Sequence, residues 1–140
     1  MGILGLGCDI VVVTRVLEIL KRRGPHRLAS RILSKKEMSD WQLQLSRSQV
    51  LETEENARFL AVRWAVKEAS YKALYPDFIP TWREITYRSK GRDGSKPSLA
   101  YTPPSNASTT VDTLKMHCSV SHDGPLVFAT VIAERLQRMN

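Results

Sequence analysis

The stretch EENARFLAVRWAVKEASYKAL, residues 54–74, constrains the fold more than any other. Phe59, Val62, Val66, Ala69 and Ala73 recur at the three- and four-residue spacing of a helix face, and Pro76 lies just past its end. One long helix is expected from about Glu54 to Leu74. Set into it are Glu68 and Lys72, four residues apart and so on one face. Such a pair is either an ordinary surface salt bridge or a carboxylate and an ammonium aimed at one ligand. Trp64, Ala65, Ala69 and Tyr71 are the helical neighbours of Glu68, a partly buried setting in which a charge needs a partner.

Upstream, residues 3–8 (ILGLGC) read as a first strand. Residues 10–23 then read as a helix, with Val13, Val16, Leu17 and Leu20 on one face, Thr14 or Asp9 as its cap, Lys21, Arg22 and Arg23 in its last turn, and Gly24-Pro25 closing it. Residues 26–33 form a short helix. Ser34 with Glu37 has capping-box spacing for another. Residues 44–54 read as a polar loop. Downstream the period changes. Residues 83–89 (REITYRS) and 98–102 (SLAYT) read as strands of a hairpin around the turn 91–97. Residues 103–112 open as a loop and have room for a short helix. Residues 115–122 and 125–136 are two further strands, joined by Asp123-Gly124. Early helices and a late antiparallel sheet make an α+β fold, and no linker or repeat divides residues 1–140 into more than one domain.

At 140 residues, 42% hydrophobic and 25% charged, the chain has the composition of a globular domain rather than a disordered one. Its 21 Lys and Arg against 14 acids leave a net charge of +7, which calls for an acidic partner: nucleic acid, anionic lipid, an acidic protein or a phosphorylated small molecule. Two cysteines far apart, Cys8 and Cys118, with no CxxC, suit a reducing intracellular compartment. No apolar run approaches a membrane span. The opening MGILGLGCDIVVV lacks a basic n-region and contains Asp9, so it reads as a strand of the fold rather than a signal peptide.

Asp9 follows a Gly-rich strand. It is either a helix cap or a metal ligand, since small residues at a strand end give phosphates and metals access to the backbone. In SVSHDG, residues 119–124, His122 and Asp123 enter a tight turn; the ring and the Ser hydroxyls are either structural or phosphate contacts. Arg15, Lys21, Arg22 and Arg23 form a solvated basic face or a platform for an acidic helix. Taken together, two carboxylates for a hard cation, several cations for phosphates and a basic helix nearby propose a site for phosphoryl transfer.

These same residues carry a family likeness. GLGCDIVVVTR (5–15), RFLAVRWAVKEASYKAL (58–74) and SVSHDG (119–124), with DGSKP (93–97), resemble in order the motifs of the holo-acyl-carrier-protein synthases, the small type of 4′-phosphopantetheinyl transferase. The resemblance covers nearly the whole chain. It implies that Asp9 and Glu68 hold Mg²⁺ against the pyrophosphate of coenzyme A, and that Lys72, Lys67 and Arg63 line the same phosphate site. It further implies that Ser121 and His122 contact the nucleotide end, and that Arg15, Arg22 and Arg23 dock the acidic helix of an apo acyl carrier protein. The implied reaction is attack of a carrier serine on the β-phosphate of coenzyme A, releasing adenosine 3′,5′-bisphosphate, with Glu68 and Asp123 as candidates for the general base. The implied assembly is a homotrimer with its sites between subunits, cytoplasmic in a bacterium and mitochondrial in a eukaryote.

Three stretches depart from the family pattern. YPDFIPTW (75–82) stands where a Gly-containing turn is usual, and the segments 43–56 and 103–113 are long. Two readings of another class remain beside the enzyme. A small nucleic-acid-binding domain accounts for the charge but not for the acids, and aromatics are only 7% of residues, few for base stacking. A pure interaction module would bind an acidic helix without chemistry.

Overall fold

The computed structural model describes residues 2–89, 94–105 and 114–136. The elements run β1 (Gly2–Val12), α1 (Val13–Arg23), α2 (Pro25–Ile32), α3 (Met38–Leu45), α4 (Glu54–Leu74), a 3-10 turn (Trp82–Glu84), β2 (Ile85–Arg88), β3 (Ser98–Tyr101), β4 (Leu114–Asp123) and β5 (Leu126–Arg135). Helices pack on an antiparallel sheet of order β1-β5-β4, and β2-β3 form a separate two-stranded sheet. The α+β reading therefore holds.

The long helix has the expected bounds. Thr53 caps it, its side chain accepting from the Asn56 N–H at 3.2 Å, and Glu54 and Glu55 suit the positive end of the helix dipole. Of the expected stripe, Val66, Ala69 and Ala73 are buried, while Phe59 and Val62 are half-buried. Ala57, Leu60, Ala61 and Ala65 are buried too, so α4 is enclosed on more than one side. It packs against β1 and β5 on one side and α1 on another.

The first strand is longer than expected. Ile10, Val11 and Val12 continue it, paired with Phe128, Val127 and Leu126 of β5, because a β-branched run beside an open ladder gains more from pairing than from an early helix. Neither Asp9 nor Thr14 therefore caps α1. Val12 stands at the cap position without a side-chain hydrogen bond, and the Val13 N–H donates instead to the Pro125 carbonyl at 2.7 Å. The expected apolar face survives: Val13, Val16 and Leu20 are fully buried.

The register of β1 carries the site. Gly5, Gly7, Asp9 and Val11 alternate onto the face toward α4. A Cβ on Gly7 would overlap the Ala69 carbonyl oxygen and lie 2.9 Å from the Ala73 N, and one on Gly5 would overlap the Ala73 carbonyl oxygen. Glycines facing alanines let the strand backbone lie directly on the helix backbone, which fixes Asp9 over the last turns of α4.

The late hairpin differs in detail. Asp123 pairs with Leu126, so the loop is Gly124-Pro125 rather than Asp123-Gly124, with Gly124 at φ 53°, where an L side chain is disfavoured. The expected hairpin of β2 and β3 is present, with Ile85 opposite Tyr101 and Arg88 opposite Ser98. Its turn lies partly outside the described residues, as does any helix within 103–112.

Candidate active site

At the β1–α4 contact, the Lys72 ammonium donates to Asp9 Oδ1 at 3.1 Å and to the Cys8 carbonyl at 2.8 Å. Lys72 thus pairs across elements and not with Glu68, one turn back on its own helix. The half-buried Glu68 carboxylate has no hydrogen bond or ion pair among the described residues. Two carboxylates and an ammonium share this end of the helix, with Asp9 fixed by the Gly-lined strand. No group of three or more acidic, His or Cys ligands forms among the described residues. The donor set is all oxygen and incomplete. It fits a hard cation that keeps waters and takes further oxygens from a phosphate, rather than a caged metal.

A second cluster lies at the other end of α4. His122 Nδ1 is 3.3 Å from Arg58 Nη1, and Arg58 Nη2 donates to Glu54 Oε1 at 2.9 Å. A guanidinium only donates, so Nδ1 is the acceptor and the neutral ring carries its proton on Nε2. This pair borders a cleft of about 880 Å³ that also gathers Arg47, Arg88 and Lys96, with Tyr87 in its wall. Arg58 and Lys72 stand fourteen residues apart on α4, about 21 Å along its axis. His122 lies two strands across from Val11 in the sheet register and makes no hydrogen bond or ion pair with Asp9 or Lys72 among the described residues.

The alternation of β4 separates two residues expected together. His122 pairs with Val127 on the helix side of the sheet, whereas Ser121 pairs with Phe128 on the outer side. Ser121 thus does not join the His122 cluster within the chain. Asp123, opposite Leu126, is exposed at the strand end and is likewise not brought to Asp9 or Lys72.

Lys67 is turned away from any phosphate, whereas Arg63 is buried nearby and still lines the cationic cleft. Lys67 is 0% exposed, and its ammonium donates to Glu37 Oε2 at 2.6 Å, the Trp82 carbonyl at 2.9 Å and the Ile85 carbonyl at 2.7 Å. All three N–H bonds are used, and none is left for a phosphate. Burial pushes the Lys67 pKa down, with Glu37 opposing. The Arg63 guanidinium lies 3.4 Å from the Phe59 ring centroid and donates Nη1 to the Phe59 carbonyl at 3.1 Å. Burial lowers its pKa also, again with Glu37 as the leading opposing charge. Glu37, itself 0% exposed, is the anion both require. Its Oε2 accepts from the Ser34 N–H at 2.6 Å, and its Oε1 from the Tyr87 N–H at 3.1 Å. The Ser34–Glu37 spacing that read as a capping box is thus a turn delivering a carboxylate to the core, and α3 starts only at Met38. Removing one partner of such a pair costs about 3–5 kcal/mol, because the other charge stays buried alone.

The basic face on α1 continues onto α2. A groove of about 430 Å³ is rimmed by Arg22, Arg23, Arg27 and Arg31 and backed by Trp64 and Trp82, whose ring centroids are 5.3 Å apart. Arg15 lies with its guanidinium carbon 5.5 Å from the Trp64 ring. Arg27 and Arg31, one turn apart on α2, were not singled out in the sequence; their i, i+4 spacing was the available signal. Arg47 and Arg58 read from the sequence as either scattered solubility charges or phosphate contacts, whereas Arg88 and Lys96 gave no signal, because separate segments bring them to the cleft.

Residues 5–122 match the family model of the 4′-phosphopantetheinyl transferase superfamily. The chain belongs to that superfamily, with the holo-[acyl-carrier-protein] synthases. It is 33% identical to the holo-[acyl-carrier-protein] synthase of Hamiltonella defensa over 96% of this chain and 99% of that one. It is 32% identical to the mitochondrial 4′-phosphopantetheinyl transferase B of Aspergillus fumigatus, over 93% of each. Among solved structures, the ACPS–CoA complex of Chronobacterium ammoniagenes superposes with a TM-score of 0.64 at 25% identity, covering 99% of this chain and 100% of that one. Among the described residues no helix is long and apolar enough to cross a membrane.

Proposed function

We propose that this chain transfers the 4′-phosphopantetheine group of coenzyme A to a serine of an apo acyl carrier protein, in a Mg²⁺-dependent reaction that releases adenosine 3′,5′-bisphosphate. One observation carries the reading: Asp9, held on α4 by Gly5 and Gly7, meets Lys72 while Glu68 stands one turn away without a hydrogen-bond or ion-pair partner among the described residues. Asp9 and Glu68 would hold Mg²⁺, which when bound neutralises charge on the pyrophosphate and the leaving group. Lys72 faces the same phosphates and adds a fixed positive charge where negative charge builds up. The serine oxygen forms a bond to the β-phosphorus. The bond from that phosphorus to the bridging oxygen breaks, and the electron pair leaves with the bisphosphate. Glu68 takes the serine proton. It is preferred to Asp123, which its strand register sets apart from Asp9 and Lys72.

The cationic cleft at His122 and Arg58 suits the phosphates of the nucleotide end. The groove of Arg22, Arg23, Arg27 and Arg31 suits an acidic carrier helix, its tryptophans giving apolar footing between the charges. The outer face of the sheet is apolar along β1 and the adjoining part of β5, with Leu6 60% and Ile10 59% exposed and Phe128 opposite Ile10, while β4 presents Lys115, His117, Ser119 and Ser121 there. A homotrimer covering the apolar part of this face would set the His122 cleft of one subunit beside the Asp9–Lys72 corner of the next. The compartment follows the host: similarity extends to a bacterial and to a mitochondrial relative.

Asp9→Ala and Glu68→Ala test the reading. Each is expected to abolish metal-dependent transfer while the far-ultraviolet circular dichroism stays that of the wild type. Full activity in both would overturn the metal assignment.

A further inference from the structure

Lys67 adjoins Glu68 in the chemistry-bearing part of α4, yet its ammonium faces inward. Its three acceptors lie on two segments distant in sequence: Glu37, before α3, and the carbonyls of Trp82 and Ile85. Glu37 in turn takes the Tyr87 N–H. Thr86 donates its hydroxyl to Ser34 at 2.9 Å, beside the same carboxylate. Within the six residues 82–87, four are thus fastened to one buried ionic cluster. The same six residues have a binding surface at each end. Trp82 packs on Trp64 in the basic groove, and Tyr87 stands in the wall of the cationic cleft with Arg63 beside it. β2, which holds the last three of the six, pairs with β3 and is not hydrogen-bonded into the three-stranded sheet. Apolar packing alone leaves such a segment free to slide, whereas directed bonds to one lysine and one carboxylate fix its position.

We propose that the buried Glu37–Lys67 pair is a positioning device. It sets the basic groove and the cationic cleft at fixed places on α4 by clamping the segment 82–87 that walls both. The inference rests on the reading of those surfaces as the carrier and coenzyme A sites. Glu37 and Lys67 are positioning residues, since neither reaches a surface where a substrate lies. A buried pair of this kind is weak evidence for stability; its better-attested use is to fix register.

The test is the double variant Glu37→Gln/Lys67→Met. It removes both charges of the pair together and deprives Trp82 and Ile85 of their donor, while Arg63, 3.8 Å from Glu37, loses its counter-charge. Amides of residues 82–88 are expected to exchange hydrogen faster while those of β5 keep their protection. KM for coenzyme A and KM for the apo carrier are both expected to rise about tenfold, with kcat changed less, as for a displaced binding wall. Val131→Ala, a core truncation in β5, lowers the melting temperature without touching the clamp and is expected to leave both KM values unchanged. Thr86→Val loosens the same segment without altering charge and serves if the double variant does not fold; a smaller, paired rise of both KM values is expected. Unchanged KM values, a rise in only one of them, or an equal rise in Val131→Ala would overturn the proposal. Failure of the surface assignments themselves looks different: Arg22→Glu and His122→Ala would then leave both KM values at wild type.

Discussion

Gly7→Ala is the sharpest perturbation of the architecture that holds the site. A methyl group at this position has nowhere to go: it would overlap the Ala69 carbonyl oxygen and sit 2.9 Å from both the Ala69 carbonyl carbon and the Ala73 N. These are backbone atoms in the last turns of a 21-residue helix, not the ends of flexible side chains. The strain is relieved only by moving β1 off α4. Overpacking of this sort costs about 1–3 kcal/mol, and a backbone-against-backbone clash belongs at the upper end. For a chain of this size about 3 kcal/mol lowers the melting temperature by roughly 9 °C. The functional effect is larger than the stability effect, because the Asp9–Lys72 contact of 3.1 Å spans the contact that must open. A shift on the order of 1 Å in a positioned group lowers a rate by about 100-fold. Thermal melts and single-turnover transfer assays, both well below the melting temperature of the variant, read the two effects separately. Gly2→Ala is the matched control, because nothing lies within 4 Å of its added Cβ. If Gly7→Ala melts and turns over like Gly2→Ala, the close approach does not hold the site together.

Two further predictions follow from the surfaces. Arg15→Glu and Arg22→Glu reverse charge on the basic groove, and each is expected to raise KM for the carrier at least about fivefold, roughly 1 kcal/mol, while KM for coenzyme A stays unchanged; steady-state kinetics varying one substrate at a time decides. Glu68→Ala acts at the Asp9–Lys72 corner, and His122→Ala, on β4, acts at the cleft beside Arg58. If the site is shared between subunits, mixing the two inactive variants under subunit exchange is expected to restore a fraction of wild-type transfer, and no recovery in a mixture shown to exchange would place both residues in one subunit's site.

Much of the fold was legible because the helix and strand periods are clean. The bounds of α4 and the helix face of Val13, Val16 and Leu20 needed no tertiary information. The boundary between β1 and α1 was not legible, since Ile10, Val11 and Val12 suit either element until β5 lies beside them. The pairing of Asp9 with Lys72 is a contact across 63 residues that no local spacing encodes. For Lys67 the motif misled: residues adjoining one another on a helix point in different directions, and only its burial with Glu37 reveals a structural task. Similarly, Ser121 and His122 are neighbours in sequence but on opposite faces of the sheet. The segments 75–82 and 43–56, long or proline-bearing beside the family pattern, line the two cavities: Trp82 the groove, Arg47 and Glu55 the cleft.

The most direct measurement is the intact mass of an apo acyl carrier protein after incubation with this chain, coenzyme A and Mg²⁺, with and without EDTA. The account predicts a mass gain of one phosphopantetheinyl group that appears with Mg²⁺ and is lost with EDTA. An unmodified carrier in the presence of Mg²⁺, across several carriers, would contradict it.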